Sequence, residues 1–228
     1  MKRFLVAFLV VLLMAGSSFA LSISGNSLLT DEGNTYYDTG TEAFSLIDSD
    51  GSTDDATAFL FLENAGYAGS NVFGLYTYTV ESDDTVTKIA ALDIFQGPAS
   101  PLSSATLRFD FLNGTVTNQQ SMESISLAQN RFGFYIETPY NIFYSHTELN
   151  TDGVDHFKTF DTSINSDGSL FGSDFVLAME DLPNLGDGDF EDMIVGVSDI
   201  APVPEPGTLL LLGGGLVGLA YLRKRKKA

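Results

Sequence analysis

The feature that most restricts this chain is its punctuation. Between residues 56 and 200, apolar and aromatic residues come only in runs of strand length, each bounded by Gly, Asn, Asp, Ser or Pro. Such runs read as short strands, and no eleven-residue window in this stretch has helical periodicity. Segment Val72–Val80, the turn Glu81-Ser82-Asp83-Asp84 and segment 85–95 read as a hairpin. Further strands are predicted at 57–62, 105–112, 132–137, 141–144, 157–160, 175–180 and 193–197. Apolar and polar residues alternate through Thr106-Leu107-Arg108-Phe109-Asp110-Phe111, as in a strand with one buried face. The expected fold is therefore all-β: a single β-sandwich, jelly-roll-like, over residues 56–200. Residues 21–55, rich in Thr, Ser, Asp and Gly, read as a polar lead-in to this domain, with an N-terminal strand. The stretch from Pro98 to Pro101 marks a loop inside the domain, since strand patterning resumes at once.

The two ends obey different rules. Met1-Lys2-Arg3, an apolar run from Phe4 to Met14 and the small-residue stretch closing on Ser18-Phe19-Ala20 form a signal peptide over residues 1–20, with cleavage expected after Ala20. The competing reading is an uncleaved anchor, which the shortness of the run disfavours. At the other end, residues 201–206 carry a Pro-rich motif, Pro204-Glu205-Pro206. Residues 207–222 follow as an apolar, Gly-rich transmembrane helix, and the basic tail 223–228 closes the chain. A helix over 207–222 is about 24 Å long, short of a hydrocarbon core of about 30 Å, so it spans only with bilayer thinning or snorkelling. The Arg/Lys block stops translocation and stays cytoplasmic.

Setting the ends aside changes the charge balance. Of 11 basic residues, seven lie in the two terminal segments; Lys88, Arg108, Arg131 and Lys158 face 30 acidic residues, a net charge of −26 for the body. That charge excludes nucleic acid as a partner and favours solubility or cation binding. Cysteine is absent, so no disulfide and no zinc-thiolate site supports an exported domain; a core or a hard cation must do so.

Three acidic stretches are candidate cation sites. The strongest runs from Glu180 to Asp192 and contains Asp187, Asp189 and Asp192, whose carboxylates turn inward if the backbone wraps around a point. Oxygen-only ligation suits calcium. An EF-hand does not fit: with Asp187 first, the sixth position holds Asp192 in place of Gly and the twelfth holds Ser198 in place of Glu. The second stretch, Asn150-Thr151-Asp152-Gly153-Val154-Asp155-His156, offers Asp152 and Asp155; the third is Asp48-Ser49-Asp50-Gly51-Ser52-Thr53-Asp54-Asp55. Asp-Gly pairs also serve simply as turns. His156 beside Asp155 is either a general base or a hydrogen-bonded structural histidine.

The tail resembles the PEP-CTERM sorting signal, on Pro204-Glu205-Pro206, the apolar helix and the basic block in that order. The resemblance implies an exosortase-type processing peptidase as partner, transient residence in the inner membrane through the C-terminal helix, and a Gram-negative source that makes extracellular polysaccharide. A permanent single-pass anchor is the alternative. The body, from about Asn71 to Ser198, resembles the domain of unknown function 4114, on Phe132-Gly133-Phe134-Tyr135, Phe143-Tyr144-Ser145, Asn150 to His156, Glu180-Asp181-Leu182 and Gly186 to Asp192. Glu191 stands where that family has Asn. The resemblance implies no catalytic activity and a suspicion of calcium binding. The expectation is thus an exported, non-enzymatic structural or adhesive protein of the cell surface or extracellular matrix, stabilised by calcium at Glu180, Asp187, Asp189, Asp192, Asp152 and Asp155. The alternatives are a carbohydrate-binding module for extracellular polysaccharide, and a polysaccharide hydrolase using paired carboxylates.

Overall fold

The computed structural model describes residues 38–47, 51–63, 65–97, 99–163 and 172–203. The signal peptide with Ala20, the motif Pro204-Glu205-Pro206, the helix over 207–222 and the basic tail lie outside the described residues, as do Asp48 to Asp50 of the third acidic stretch. Among the described residues no helix is long and apolar enough to cross a membrane.

The described strands are all antiparallel. In chain order they are β1 (Phe44–Leu46), β2 (Thr53–Glu63), β3 (Val72–Val80), β4 (Val86–Phe95), β5 (Ser104–Asp110), β6 (Thr115–Asn118) and β7 (Ser124–Ser126). Then follow β8 (Phe132–Glu137), β9 (Ile142–Tyr144), β10 (Phe157–Asp161), β11 (Phe175–Met179), β12 (Met193–Val197) and β13 (Ile200–Pro202). One sheet has the order β13-β1-β8-β3-β4, with β9 sharing the β8 edge that β1 uses at its other end. The second has the order β10-β11-β12-β2-β5-β6-β7. The predicted hairpin is β3–β4, closed where Val80 pairs with Val86.

The two sheets share one apolar cluster. Phe73, Leu75 and Phe134 of the first pack with Leu60, Leu107 and Leu177 of the second. Ring contacts bridge the layers at 5.3 Å between centroids, Phe44 on Phe175 and Phe109 on Phe132. In β5 the expected alternation holds, with Ala105, Leu107 and Phe109 inward and Arg108 outward.

Four strands are not visible as apolar runs. β6 and β7 carry a single aliphatic side chain each, Val116 and Ile125, and form the edge of their sheet. The short strands β1 and β13 pair with each other, and the polar lead-in supplies β1 and the first residues of β2.

Strands β11 and β12 are buried on both faces, which explains their uninterrupted apolar sequences. Phe175, Leu177 and Met179 enter the shared core, whereas Val176 and Ala178 pack with Ile194, Phe61, Phe160 and Phe190 on the opposite face. Phe190 and the partly buried Leu185 come from the β11–β12 connection. The connection therefore folds back over the sheet, pinned by two apolar side chains, and carries its acidic residues with it.

Candidate metal centre

The β11–β12 connection starts at Glu180, which is 0% exposed. Its amide donates to the His156 carbonyl (3.1 Å), and its own carbonyl faces His156 Nδ1 (3.1 Å). The strand pairing thus continues one residue past Met179 and drives the carboxylate inward. Glu180 Oε1 accepts the Phe190 amide at 2.8 Å, while Oε2 is buried with no hydrogen-bond partner.

The backbone beyond is tightly wound. Asn184, Leu185, Gly186, Gly188 and Phe190 all have positive φ. At Gly186 (φ +48°) a Cβ would lie 3.0 Å from the Leu182 side chain and 3.3 Å from Glu180 Oε2, so glycine keeps the space over the carboxylate open. This winding brings Asp187 and Asp189 back onto Glu180, with one oxygen from each residue within 4.8 Å of the others. Oxygens bonded to a common calcium at about 2.4 Å lie no more than about 4.8 Å apart, so the set has the dimensions of a calcium ligand shell. Burial, then the charges of Asp187 and Asp189, push the Glu180 carboxyl above its ordinary range, against the Phe190 amide and the neighbouring Asp192 carboxyl, which pull it down. Among the described residues no Lys or Arg pairs with this set; Lys158 Nζ lies over the Phe190 ring, 4.0 Å from its centroid.

The other candidate residues have different places. Asp192 stands beside the set, its Oδ2 accepting the Asp181 amide at 2.9 Å, and burial with the charges of Asp181 and Glu180 pushes it up to about 7. Asp152 braces the connection from outside: Oδ2 accepts the Asn184 amide and contacts His156 Nε2, both at 2.9 Å. Burial alone would raise the Asp152 carboxyl, but the Asn184 amide, His156 and the Val154 amide together hold it down at about 2. Asp155 caps β10 through the Phe157 amide at 3.0 Å, away from the cluster. Of the six residues, Glu180, Asp187 and Asp189 converge, Asp192 adjoins them, and Asp152 and Asp155 are engaged as braces.

His156 is fully buried and stacks on Phe143 at 3.6 Å between centroids, with its ring nitrogens facing Asp152 and the Glu180 carbonyl. Its side-chain partner is thus Asp152, not Asp155.

Three residues next to the site escape sequence reasoning. Asn71, 0% exposed, donates from Nδ2 to Asp181 Oδ2 at 2.9 Å across 110 residues of chain. Glu63, at the end of β2, has a buried and partnerless Oε1; burial and the Asp181 charge push its carboxyl up to about 7. Nothing local marks Glu63, because only the pairing of β12 with β2 brings β2 against the acidic connection, or Asn71, which reaches Asp181 from just before β3 in the other sheet. Asp181 stands in a quoted motif, and its burial is a consequence of that same packing.

No curated protein and no solved structure matches the chain. Residues 109–199, from within β5 to just past β12, match the family model described as Domain of unknown function (DUF4114), and residues 202–226 match the PEP-CTERM protein-sorting motif. The motif is one an exosortase recognises and directs its carriers outside the cell. The chain accordingly joins a segment that matches the DUF4114 model, containing the converging carboxylates, to one that matches the PEP-CTERM sorting motif.

Proposed function

We propose that this is a non-enzymatic structural or adhesive component of the cell surface or extracellular matrix, whose β domain is locked by calcium at Glu180, Asp187 and Asp189 after export. The carrying observation is Glu180: a fully buried carboxylate whose Oε2 has no hydrogen-bond partner among the described residues, with an oxygen within 4.8 Å of two further carboxylates. An unpaired buried charge costs several kcal/mol, and a hard divalent cation supplies both the missing charge and the missing ligand bond. Asp192 adjoins the shell, and Asp152 fixes the turn that shapes it. In calcium-poor cytoplasm the carboxylates repel and the connection is loose; outside, binding couples to ordering of the loop over β11 and β12.

The nested pairing supports a jelly-roll-like sandwich: β1 with β13, β2 with β12 and β3 with β8 fall alternately in the two sheets. Processing near Pro204-Glu205-Pro206 would release the domain from a membrane helix over 207–222. The test is thermal melting of the full-length chain in detergent with EDTA, with millimolar calcium and with millimolar magnesium. Calcium raises the midpoint and magnesium does so less, because Mg²⁺ demands a tighter octahedral shell. An unchanged midpoint removes the metal from the account.

A further inference from the structure

The outer face of the six-stranded sheet contains a cavity of about 900 Å³. It opens between the β3–β4 hairpin, the segment leading into β1 and the turn Thr147–Leu149. Its volume lies in the range of small-molecule sites, about 300–1,000 Å³.

The polar floor is built to order. Gly133 in β8 lets the Tyr76 ring lie against the sheet, since a Cβ there would fall 2.5 Å from the ring and its hydroxyl. The Tyr76 hydroxyl meets His146 Nδ1 and accepts the His146 amide at 3.3 Å. Ser145 Oγ already donates to the Glu42 carbonyl (2.6 Å) and accepts the Phe134 amide (3.0 Å). Its hydrogen is therefore committed, so two acceptors remain for the Tyr76 hydroxyl, Ser145 Oγ at 3.5 Å and the nearer His146 Nδ1, and the nearer one takes the hydrogen. That assignment leaves the imidazole proton on Nε2, and burial, which lowers the His146 pKa, keeps the ring neutral.

His146 Nε2–H then has no hydrogen-bond partner among the described residues, nor does the Tyr78 hydroxyl, whose ring meets the imidazole edge-on at 4.5 Å. Arg131 brings an exposed guanidinium to the same cavity with no ion pair among the described residues. Opposite these donors, Glu42 and Glu148 each spend one carboxylate oxygen on a backbone amide, of Thr147 (2.9 Å) and Val86 (3.1 Å). Each keeps its other oxygen. Val80 and Val86 supply apolar wall between the polar groups.

Donors and acceptors are thus interleaved over a partly apolar surface, and this selects the ligand class. An anion would be drawn by Arg131 and opposed by Glu42, Asp84 and Glu148. A cation would be opposed by Arg131 and would offer no acceptor to the Tyr78, His146 and Arg131 donors. An apolar ligand would strip water from six polar groups and pair none of them. A sugar ring offers hydroxyls that both donate and accept, together with apolar C–H faces. We propose that this cavity is a binding site for a neutral saccharide, one or two ring units of a polysaccharide chain, with Tyr78, His146, Arg131 and Glu42 as its polar contacts. It shares no residue with Glu180, Asp187 or Asp189 and does not rest on the calcium reading.

The experiment is titration calorimetry on the full-length chain in a detergent without a sugar headgroup. The probes are cellotetraose, maltotetraose, mannotetraose, tetra-N-acetylchitotetraose and, as the charged control, tetragalacturonate, each with calcium and with EDTA. Saturable binding of at least one neutral probe is expected, persisting in EDTA and weakened about tenfold or more by Tyr78→Phe and by Arg131→Gln at an unchanged melting midpoint. Arg131 is exposed, so its variant decides the matter if Tyr78→Phe loosens the fold. Absence of saturable binding under both conditions overturns the proposal. So does binding indifferent to both variants, or binding of tetragalacturonate tighter than every neutral probe. Loss of calcium-dependent melting with retained sugar binding overturns only the calcium reading.

Discussion

Replacing Glu180 with glutamine separates a metal ligand from a merely structural carboxylate, because the two roles predict opposite signs. The amide keeps the shape of the side chain, and its oxygen still accepts the Phe190 amide. Its NH₂ group takes the place of the partnerless Oε2 beside the carboxylates of Asp187 and Asp189, which offer acceptors in place of charge repulsion. In EDTA the substitution therefore removes a buried unsatisfied oxygen, whose penalty is about 1–3 kcal/mol. Glu180→Gln should be the more stable protein by about 1–2 kcal/mol, or about 2–8 °C in midpoint for a domain of this size. With about 10 mM calcium and a Kd of about 0.1 mM, as for extracellular modules, the wild type gains about 2.7 kcal/mol and the variant gains little. The order of stabilities then inverts, with the wild type ahead by about 1–2 kcal/mol. Differential scanning calorimetry of both proteins at about pH 8, where carboxylates are ionised, reads the crossing directly. A variant destabilised equally with and without calcium would refute the reasoning, for Glu180 would then act through packing alone.

Two further outcomes follow from the same geometry. Asp152 is held at about 2 in the fold, below the unfolded value of about 3.9, so its contribution is complete above about pH 4 and is lost as pH falls through 2. Asp152→Asn should flatten the acid-unfolding curve in that window and free the turn at Asn184, seen as faster amide exchange there. Gly186→Ala places a Cβ at φ +48°, 3.0 Å from Leu182, and should destabilise the fold by about 1–2 kcal/mol. It should also weaken calcium binding, by crowding Glu180 Oε2; unaltered affinity in calorimetry would detach Gly186 from the site.

The central strands were legible in the sequence because they are apolar enough to announce themselves; β11 and β12 are continuous apolar runs since both faces are covered. Strands β6 and β7 were not, because an edge strand with one aliphatic residue contributes backbone pairing more than buried area. Asp187 and Asp189 stood out through alternate spacing, and Glu180 through its place at the strand end. The same composition also singled out Asp152 and Asp155, whose hydrogen bonds commit them elsewhere; carboxylate type and spacing do not encode which amide a side chain will meet. Glu63 stayed hidden because its neighbourhood exists only once β2 lies against β12, and Asn71 because it meets Asp181 only across the two sheets. The cavity was equally invisible, since Tyr78, Arg131 and His146 come from three separate segments.

The last described backbone bond before the sorting motif joins the Val203 amide to the Ala43 carbonyl at 2.9 Å. A pull on the chain beyond Val203 enters the domain at β13, an edge strand that holds β1 through three residue pairs. Pro202 opposite Phe44 is the pair nearest that pull, followed by Ala201 opposite Ser45 and Ile200 opposite Leu46. Pro202 and Val203 also line the cavity, so one of its walls is the stretch of chain that leads directly into the sorting segment.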